Sequence, residues 1–345
     1  MANCQEIRKQ IQNKMQFQYS GERFADLQML RYKLPGFEEL TARQKAYVYY
    51  LSEATLWGRD ITFDQYGRYN LLIRKTLEEV FRLLKADNDT SPEAEALITY
   101  LKRVWFSNGI YHHYGCDKFK PEFPQAYFVA QVRRVAADRL PMPVDKLLET
   151  IVPVMFDETL LPKRVNKTAG EDLVKTSACN FYEGVTQKEV EEFYAAKKQD
   201  NDPCPPSYGL NSVLKKDGNG ELVEEVWCLN GKYGKTIAHI VECLDKAKDY
   251  AENERQKHII SLLTDYYTTG DLRTFDAYSI EWLKELDGRI DFVNGFIEVY
   301  GDPLGHKAGW EGIVEYKDME ACKRTQTISG NAQWFEDHSP VDARF

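Results

Sequence analysis

LNSVLKKDGNGELVEEVWCL, Leu210 to Leu229, decides how the chain is read. Two runs of strand-forming residues flank Asp217-Gly218-Asn219-Gly220, and Asp-Gly and Asn-Gly tolerate the positive φ of hairpin turns. An antiparallel pair therefore sits in a chain whose other signals are mostly helical. Downstream, KTIAHIVECLDKAKDYAENE, QKHIISLLTDYYTTG and LRTFDAYSIEWLKELDG read as three helices, two of them closing on a glycine suited to a left-handed cap, Gly270 and Gly288. Upstream, NDPCPPSYG (201–209) has three prolines and a glycine in nine residues and is irregular. Before it, NFYEGVTQKEVEEFYAAKK turns and then enters a helix at Thr186, with Glu189 completing a capping box.

The first 150 residues carry mainly helical stripes, in ELTARQKAYVYYLSEATLWGRD, NLLIRKTLEEVFRLLKAD and SPEAEALITYLKRVWFSNG; in the last, Ser91 is the N-cap, Pro92 the first helical residue, and Gly109 lies past the end. YHHYGCDKFKPEFP (111–124) is a proline-punctuated aromatic loop, helix resumes near FVAQVRRVAADRL, and PMPV at 141–144 marks a change of character. The sum is an α+β chain, helix-dominated with a small antiparallel, barrel-like sheet. We divide it into a mainly helical segment, 1–150, an α+β segment, 151–316, and a closing segment, 317–345; its end, VDARF, stops without a terminal helix or turn.

Composition narrows the function. At 345 residues the chain can bury a large core without disulfides or metals, and 21 Tyr, 17 Phe and 6 Trp make it aromatic-rich. A net charge of -9 and a pI near 5.4 give no footprint for nucleic acid or anionic lipid, and no apolar run approaches a bilayer span. Seven scattered cysteines, with no C-x-x-C, point to reduced thiols and a cytoplasmic setting.

None of the six histidines sits in H-E-x-x-H or H-E-x-x-x-H. His239 and Cys243, four apart on a helix that buries Ile237, Ile240, Val241 and Leu244, make two ligands where zinc asks for three or four. His112, His113, Cys116 and Asp117 crowd one loop, where adjacent histidines point apart in most backbones; they read as structural or cleft-lining, with an unrelated hydrolase site as the alternative. LNGKYGKT imitates a phosphate loop, but only three positions separate Gly231 from Lys235, so a tight strand-to-helix turn is the reading. No G-x-S-x-G elbow is present.

GFIEVYGDPLGH, Gly295 to His306, alternates Phe296, Glu298 and Tyr300 against Ile297 and Val299 before a Gly-Asp-Pro turn. A strand would place Glu298 and Tyr300 side by side, a carboxylate able to bind an ammonium group and a phenol able to donate to a developing oxyanion. The same pattern describes a half-exposed strand whose polar face meets water, and spacing alone does not choose between them.

IEVYGDPLGHKAGWEGIV, with Glu298, Tyr300, Asp302, Pro303, Gly305, Trp310, Glu311 and Gly312, resembles the signature strand and Gly-rich turn of the dipeptidyl peptidase III family, the M49 metallopeptidases. YGCDKFKPEFP, NFYEGVTQKEVEEFYAA, LNGKYGKTIAHIVECLDKAKDYAENERQ and TTGDLRTFDAYSIEWLKELDGRIDFVNGF agree in order, and YVYYLSEATLWGRDITFDQYGRYN is similar to bacterial members. The resemblance implies a zinc exopeptidase that removes dipeptides from the N-termini of short peptides, built as two lobes around a cleft. Its H-E-x-x-G-H and E-E-x-x-A/S-D motifs are missing here, so the resemblance covers the amino-terminal half: a lower lobe, a hinge starting at 317, and no catalytic upper lobe. It implies that Glu298 holds the substrate ammonium, that Tyr300 hydrogen-bonds the scissile carbonyl, that Ile297 and Val299 frame the strand, and that Tyr114 lines the cleft. Zinc would belong to the full-length enzyme and none to this chain, which is expected to be inactive alone. His306 departs from the small polar residue common in the family. A stand-alone peptide-binding or scaffold protein is the alternative.

Overall fold

A computed structural model of the chain describes residues 17–198, 201–342 and 344; Cys4, the polar start MANCQEIRKQ, and Ala343 and Phe345 of VDARF lie outside the described residues. The chain divides into two compact units, Met1–Glu38 and Glu39–Phe345. In the first, β1 (Ser20–Phe24) and β2 (Leu27–Leu30) form an antiparallel hairpin in a region where the sequence signals are mainly helical. Ala25, at the tip, takes a positive φ of 47°.

The second unit opens with helices. α1 (Ala42–Trp57) begins at a capping box in which Thr41 accepts from the Gln44 amide and the Gln44 side chain accepts from the Thr41 N–H. α2 (Arg59–Gln65) follows at once, then α3 (Asn70–Asp87) and α4 (Pro92–Ser107), the last capped by Ser91 and closed by left-handed Asn108 before Gly109. α5 (Gln125–Arg134) and α6 (Val144–Phe156) complete this group. Ile73, Leu77, Val80 and Leu84 of α3 recur every three or four residues and meet Leu97, Leu101 and Val104 of α4 and Leu147 and Ile151 of α6 in one buried cluster. Each such side chain contributes about 1.5–3 kcal/mol on burial. Residue 150 falls inside α6, so the sequence boundary near it cuts a helix whose two halves share this cluster.

After α7 (Leu173–Thr176), β3 (Tyr182–Glu183) lies parallel to β4 (Ser212–Lys216), with α8 (Gln187–Lys197) between them in sequence, entered through the Thr186–Glu189 box. β4 pairs antiparallel with β5 (Leu222–Val226) across the Asp217–Glu221 turn, where Asp217 Oδ1 accepts from the Asn219 and Glu221 amides. Gly220 alone in that turn takes a positive φ, 84°. α9 (Gly234–Lys248), α10 (Glu254–Thr269) and α11 (Leu272–Leu283) come next, and Gly270 caps α10 at φ 74° as expected. α11 ends five residues short of Gly288, at Lys284 in the right-handed region, so Gly288 is not its cap.

β6 (Ile290–Glu298) and β7 (Gly309–Tyr316) form the last antiparallel pair, followed by α12 (Met319–Ser329) and α13 (Ala332–Asp337). Both helices of the closing segment end before VDARF. The sheets are separate, of two, three and two strands, and the middle one mixes parallel and antiparallel pairing. The α+β class holds; the barrel-like sheet does not, because no strand connects one sheet to another and none closes. The second buried cluster, including Tyr47 and Leu51 of α1, Trp227, Ile237 and Ile240 of α9, Tyr267 of α10, and Phe296 and Trp310, lies beneath the β6–β7 pair. No helix among the described residues is long and apolar enough to cross a membrane.

Candidate functional site

The β6–β7 pair places the predicted residues. Asn294 faces Gly312, Gly295 faces Glu311 and Phe296 faces Trp310, but Glu298 faces Gly309, so Ile297 is an extra residue and the register slips by one. This bulge breaks the alternation read from the sequence. Phe296 is fully buried, 4.8 Å from the Trp227 ring centroid, whereas Glu298, two residues on, is exposed. The strand ends at Glu298, and Tyr300 projects from the turn that follows, 79% exposed. Val299 is half-buried against the core, and Ile297 is half-buried beside Gly295.

Glu311 is the residue that spacing did not reveal. It lies thirteen positions from Glu298 in sequence and reaches it only through the strand pairing. Burial, and secondarily the charge on Glu298, raises its carboxyl above the usual range. Neither carboxylate has an ion-pair or hydrogen-bond partner among the described residues. Gly295, opposite Glu311, is buried, with the Phe275 ring 3.3 Å from where its Cβ would stand. An acid that feels a second acid's charge, neither paired with a cation among the described residues, and an exposed phenol on the following turn suit an ammonium-bearing ligand.

The pair is held from beneath. Gln65, fully buried at the end of α2, donates to the Ala308 carbonyl at 3.1 Å and accepts from the Trp310 amide at 2.8 Å, bracketing Gly309 opposite Glu298. Trp310 Nε1 donates to the Tyr267 hydroxyl at 3.0 Å, which donates to Asn294 on β6. The indole occupies the place where a Gly58 side chain would be, 2.0 Å from a Cβ built there.

The other sequence candidates behave differently. Tyr114 is 89% exposed on the loop between α4 and α5, and no hydrogen bond or ring contact joins it to Glu298 or Tyr300 among the described residues. His112 Nδ1 accepts from the backbone amides of Tyr114 and Gly115, at 3.2 and 2.9 Å, so it staples its own turn. The His112 and His113 rings do not point apart; they stack at 4.5 Å, because the tight turn folds the chain back. His239 lies flat on Trp57 at 4.0 Å. No group of three or more His, Cys, Asp or Glu able to hold a metal occurs among the described residues. The six described cysteines are free thiols. Gly231 packs against the Val226 carbonyl, in the strand-to-helix turn expected of LNGKYGKT.

The fold and site define a class: an α+β chain presenting paired acids and a phenol at a strand end. Residues 206–345, which carry that site, match the family model described as Peptidase family M49, and the chain is related to that family. Within the family it is similar to dipeptidyl peptidase 3 of Mus musculus, 26% identical over 341 residues covering 86% of this chain and 45% of the mouse protein. The Dictyostelium discoideum protein of the same name is 22% identical over 335 residues, covering 90% of this chain and 46% of its own length. Among solved structures, DPP III from Caldithrix abyssi superposes with a TM-score of 0.59 at 19% identity, covering 90% of this chain and 46% of that one. That from Corallococcus sp. strain EGB gives 0.55 at 17%, covering 90% and 45%. The chain spans about half the length of these relatives.

Proposed function

We propose that this chain is the peptide-binding lower lobe of a dipeptidyl peptidase III, which grips the free amino end of a short peptide. The observation that supports the reading is the meeting of Glu298 and Glu311 without a cation, beside the exposed Tyr300. An ammonium group between the two acids relieves their repulsion, so the α-amino group of a peptide is favoured over an acetylated one. Tyr300 then donates its hydroxyl proton to a peptide carbonyl oxygen, and an extended backbone pairs along the strand end framed by Ile297 and Val299. Tyr114 is a more distant cleft contact in the same reading. Fixing the amino end is what measures a dipeptide.

Zinc and the groups that would use it belong, in this proposal, to a catalytic upper lobe outside these residues; the bound chain recognises its substrate and does not cleave it. The partners are short peptides and that lobe, with neither nucleic acid nor membrane, in the cytoplasm. Titration calorimetry of the 345-residue chain with a short peptide, free or N-acetylated at its amino end, tests the reading. Preference for the free form supports it; equal affinity, or no binding of either, refutes it.

A further inference from the structure

Among the described residues, the side chains of Glu298 and Tyr300 reach solvent with no hydrogen bond of their own, so their direction is inherited from the backbone of the 299–307 turn. Two side chains hold that turn. Asp302, 1% exposed, folds it from within: Oδ1 accepts from the Leu304 amide at 3.2 Å, and Oδ2 from the His306 and Lys307 amides at 2.7 and 2.8 Å. The Tyr182 hydroxyl of β3 also donates to Oδ2, at 2.7 Å. Lys307, fully buried, anchors the far end. Its ammonium donates to the Tyr194 hydroxyl of α8 and, at 3.0 Å, to Ser212 Oγ of β4, with Glu224 Oε1 of β5 3.9 Å away.

We propose that Lys307 is a positioning residue for the amine-binding strand end: it ties the turn bearing Tyr300 and following Glu298 to β4, β5 and α8, and peptide affinity depends on it although it never touches the peptide. This deepens, and rests on, the reading of Glu298 as an amine site. Nothing in a plain hairpin calls for a buried ammonium here. Burying a charge is costly unless it is paired and hydrogen-bonded.

The surroundings make the tether sensitive to protonation. Facing Lys307 are Glu224 from β5, Tyr194 and Lys197 from α8, Tyr182 from β3, and Asp302 and His306 from the turn itself, with Ser212 from β4 as the neutral partner. Lys197 neutralises Glu224 through its other oxygen. Burial pushes the Lys307 ammonium down to about 7, against the pull of Glu224 and Asp302. Burial outweighs that pull, so the site holds the proton less tightly than water does; opening the turn takes up a proton, and the anchor tightens as pH rises above about 7.

The test uses hydrogen–deuterium exchange and peptide titration on the full chain and two variants, Lys307→Met and Tyr182→Phe. In a folded Lys307→Met chain, the amides of Leu304, His306 and Lys307 are expected to exchange about tenfold faster, those of α9 are unchanged, and affinity for the free-amine peptide falls about tenfold. In the wild type, turn protection corrected for intrinsic exchange rises as pH climbs above about 7; in Lys307→Met that rise is gone. If Lys307→Met does not fold, the wild-type pH step judges the Lys307 anchor, its absence overturning the proposal, and Tyr182→Phe, which removes the β3 hydroxyl that donates to Asp302 of the same turn, is expected to give a smaller loosening as its control. Wild-type protection of the turn in a folded variant overturns the proposal, as does a uniform loss of protection across α9 and the turn. If the wild type binds free and acetylated peptides alike, the functional reading fails, and the exchange data still judge the anchor separately.

Discussion

Glu311 is more costly to ionise than a free carboxylate, because it is partly buried and, secondarily, because Glu298 is charged. Removing one charge should therefore weaken the grip on an ammonium group while easing the fold slightly. Glu298→Gln is expected to reduce affinity for a free-amine peptide by about 1.5–3 kcal/mol, a charged hydrogen bond's contribution, and to leave the acetylated peptide unaffected; calorimetry on both peptides checks it. Lys307 gives a prediction of opposite character. Its folded value of about 7 lies below the ordinary 10.5, so between those pH values the unfolded chain binds a proton that the folded chain has released. The penalty is full below about pH 7 and fades as pH approaches 10.5. Denaturation midpoints should show wild type gaining on Lys307→Met, by several kcal/mol at most, across that window. A difference that stays constant from pH 6.5 to about 10 would contradict the buried ammonium.

At the scale of elements, the site depends on how α2 and the α1–α2 junction meet β7. Gln65→Leu would leave the Ala308 carbonyl and the Trp310 amide buried without partners, at about 1–3 kcal/mol each. Urea denaturation should show that loss, and peptide affinity should fall with it. Gly58→Ala asks the Trp310 ring to move, since the added carbon would stand 2.0 Å from it; an overpacking cost of about 1–3 kcal/mol is expected, read from the same midpoint. These contacts were not legible in the sequence. Capping boxes and helix stripes are local, which is why Ser91, Thr186 and the α3 and α4 faces could be read from neighbours three and four apart. The staple from Gln65 to residues 308 and 310 spans more than two hundred positions, and a polar residue inside a helical stripe looks like a solvated one. Likewise the parallel pairing of β3 with β4 has no local signature in a two-residue strand, and the hairpin at 20–30 is too short and polar to stand out from its helical surroundings.

For the molecule as a whole, the two buried clusters found among the described residues draw on residues from Tyr47 onward. A chain beginning at Glu39 is accordingly expected to unfold cooperatively with a midpoint close to that of the full chain, checked by thermal denaturation followed at 222 nm. Because the chain spans about half of its relatives, the proposal further predicts no dipeptide release from this chain with zinc added, measured by mass spectrometry of the peptide products; sustained turnover would refute the lower-lobe reading.

By itself the sequence determined most of the helices, the β4–β5 hairpin and the α+β class, since caps, turns and apolar periods act between residues close along the chain. It also supplied the strand end with Glu298 and Tyr300 and the resemblance to M49. Only the tertiary structure decided that a bulge at Ile297 turns Glu298 away from Phe296, that Glu311 meets it, and that Asp302 and Lys307 fix the turn between them. Register, burial and the partner of a charge are set by packing between distant segments, and no local pattern encodes them.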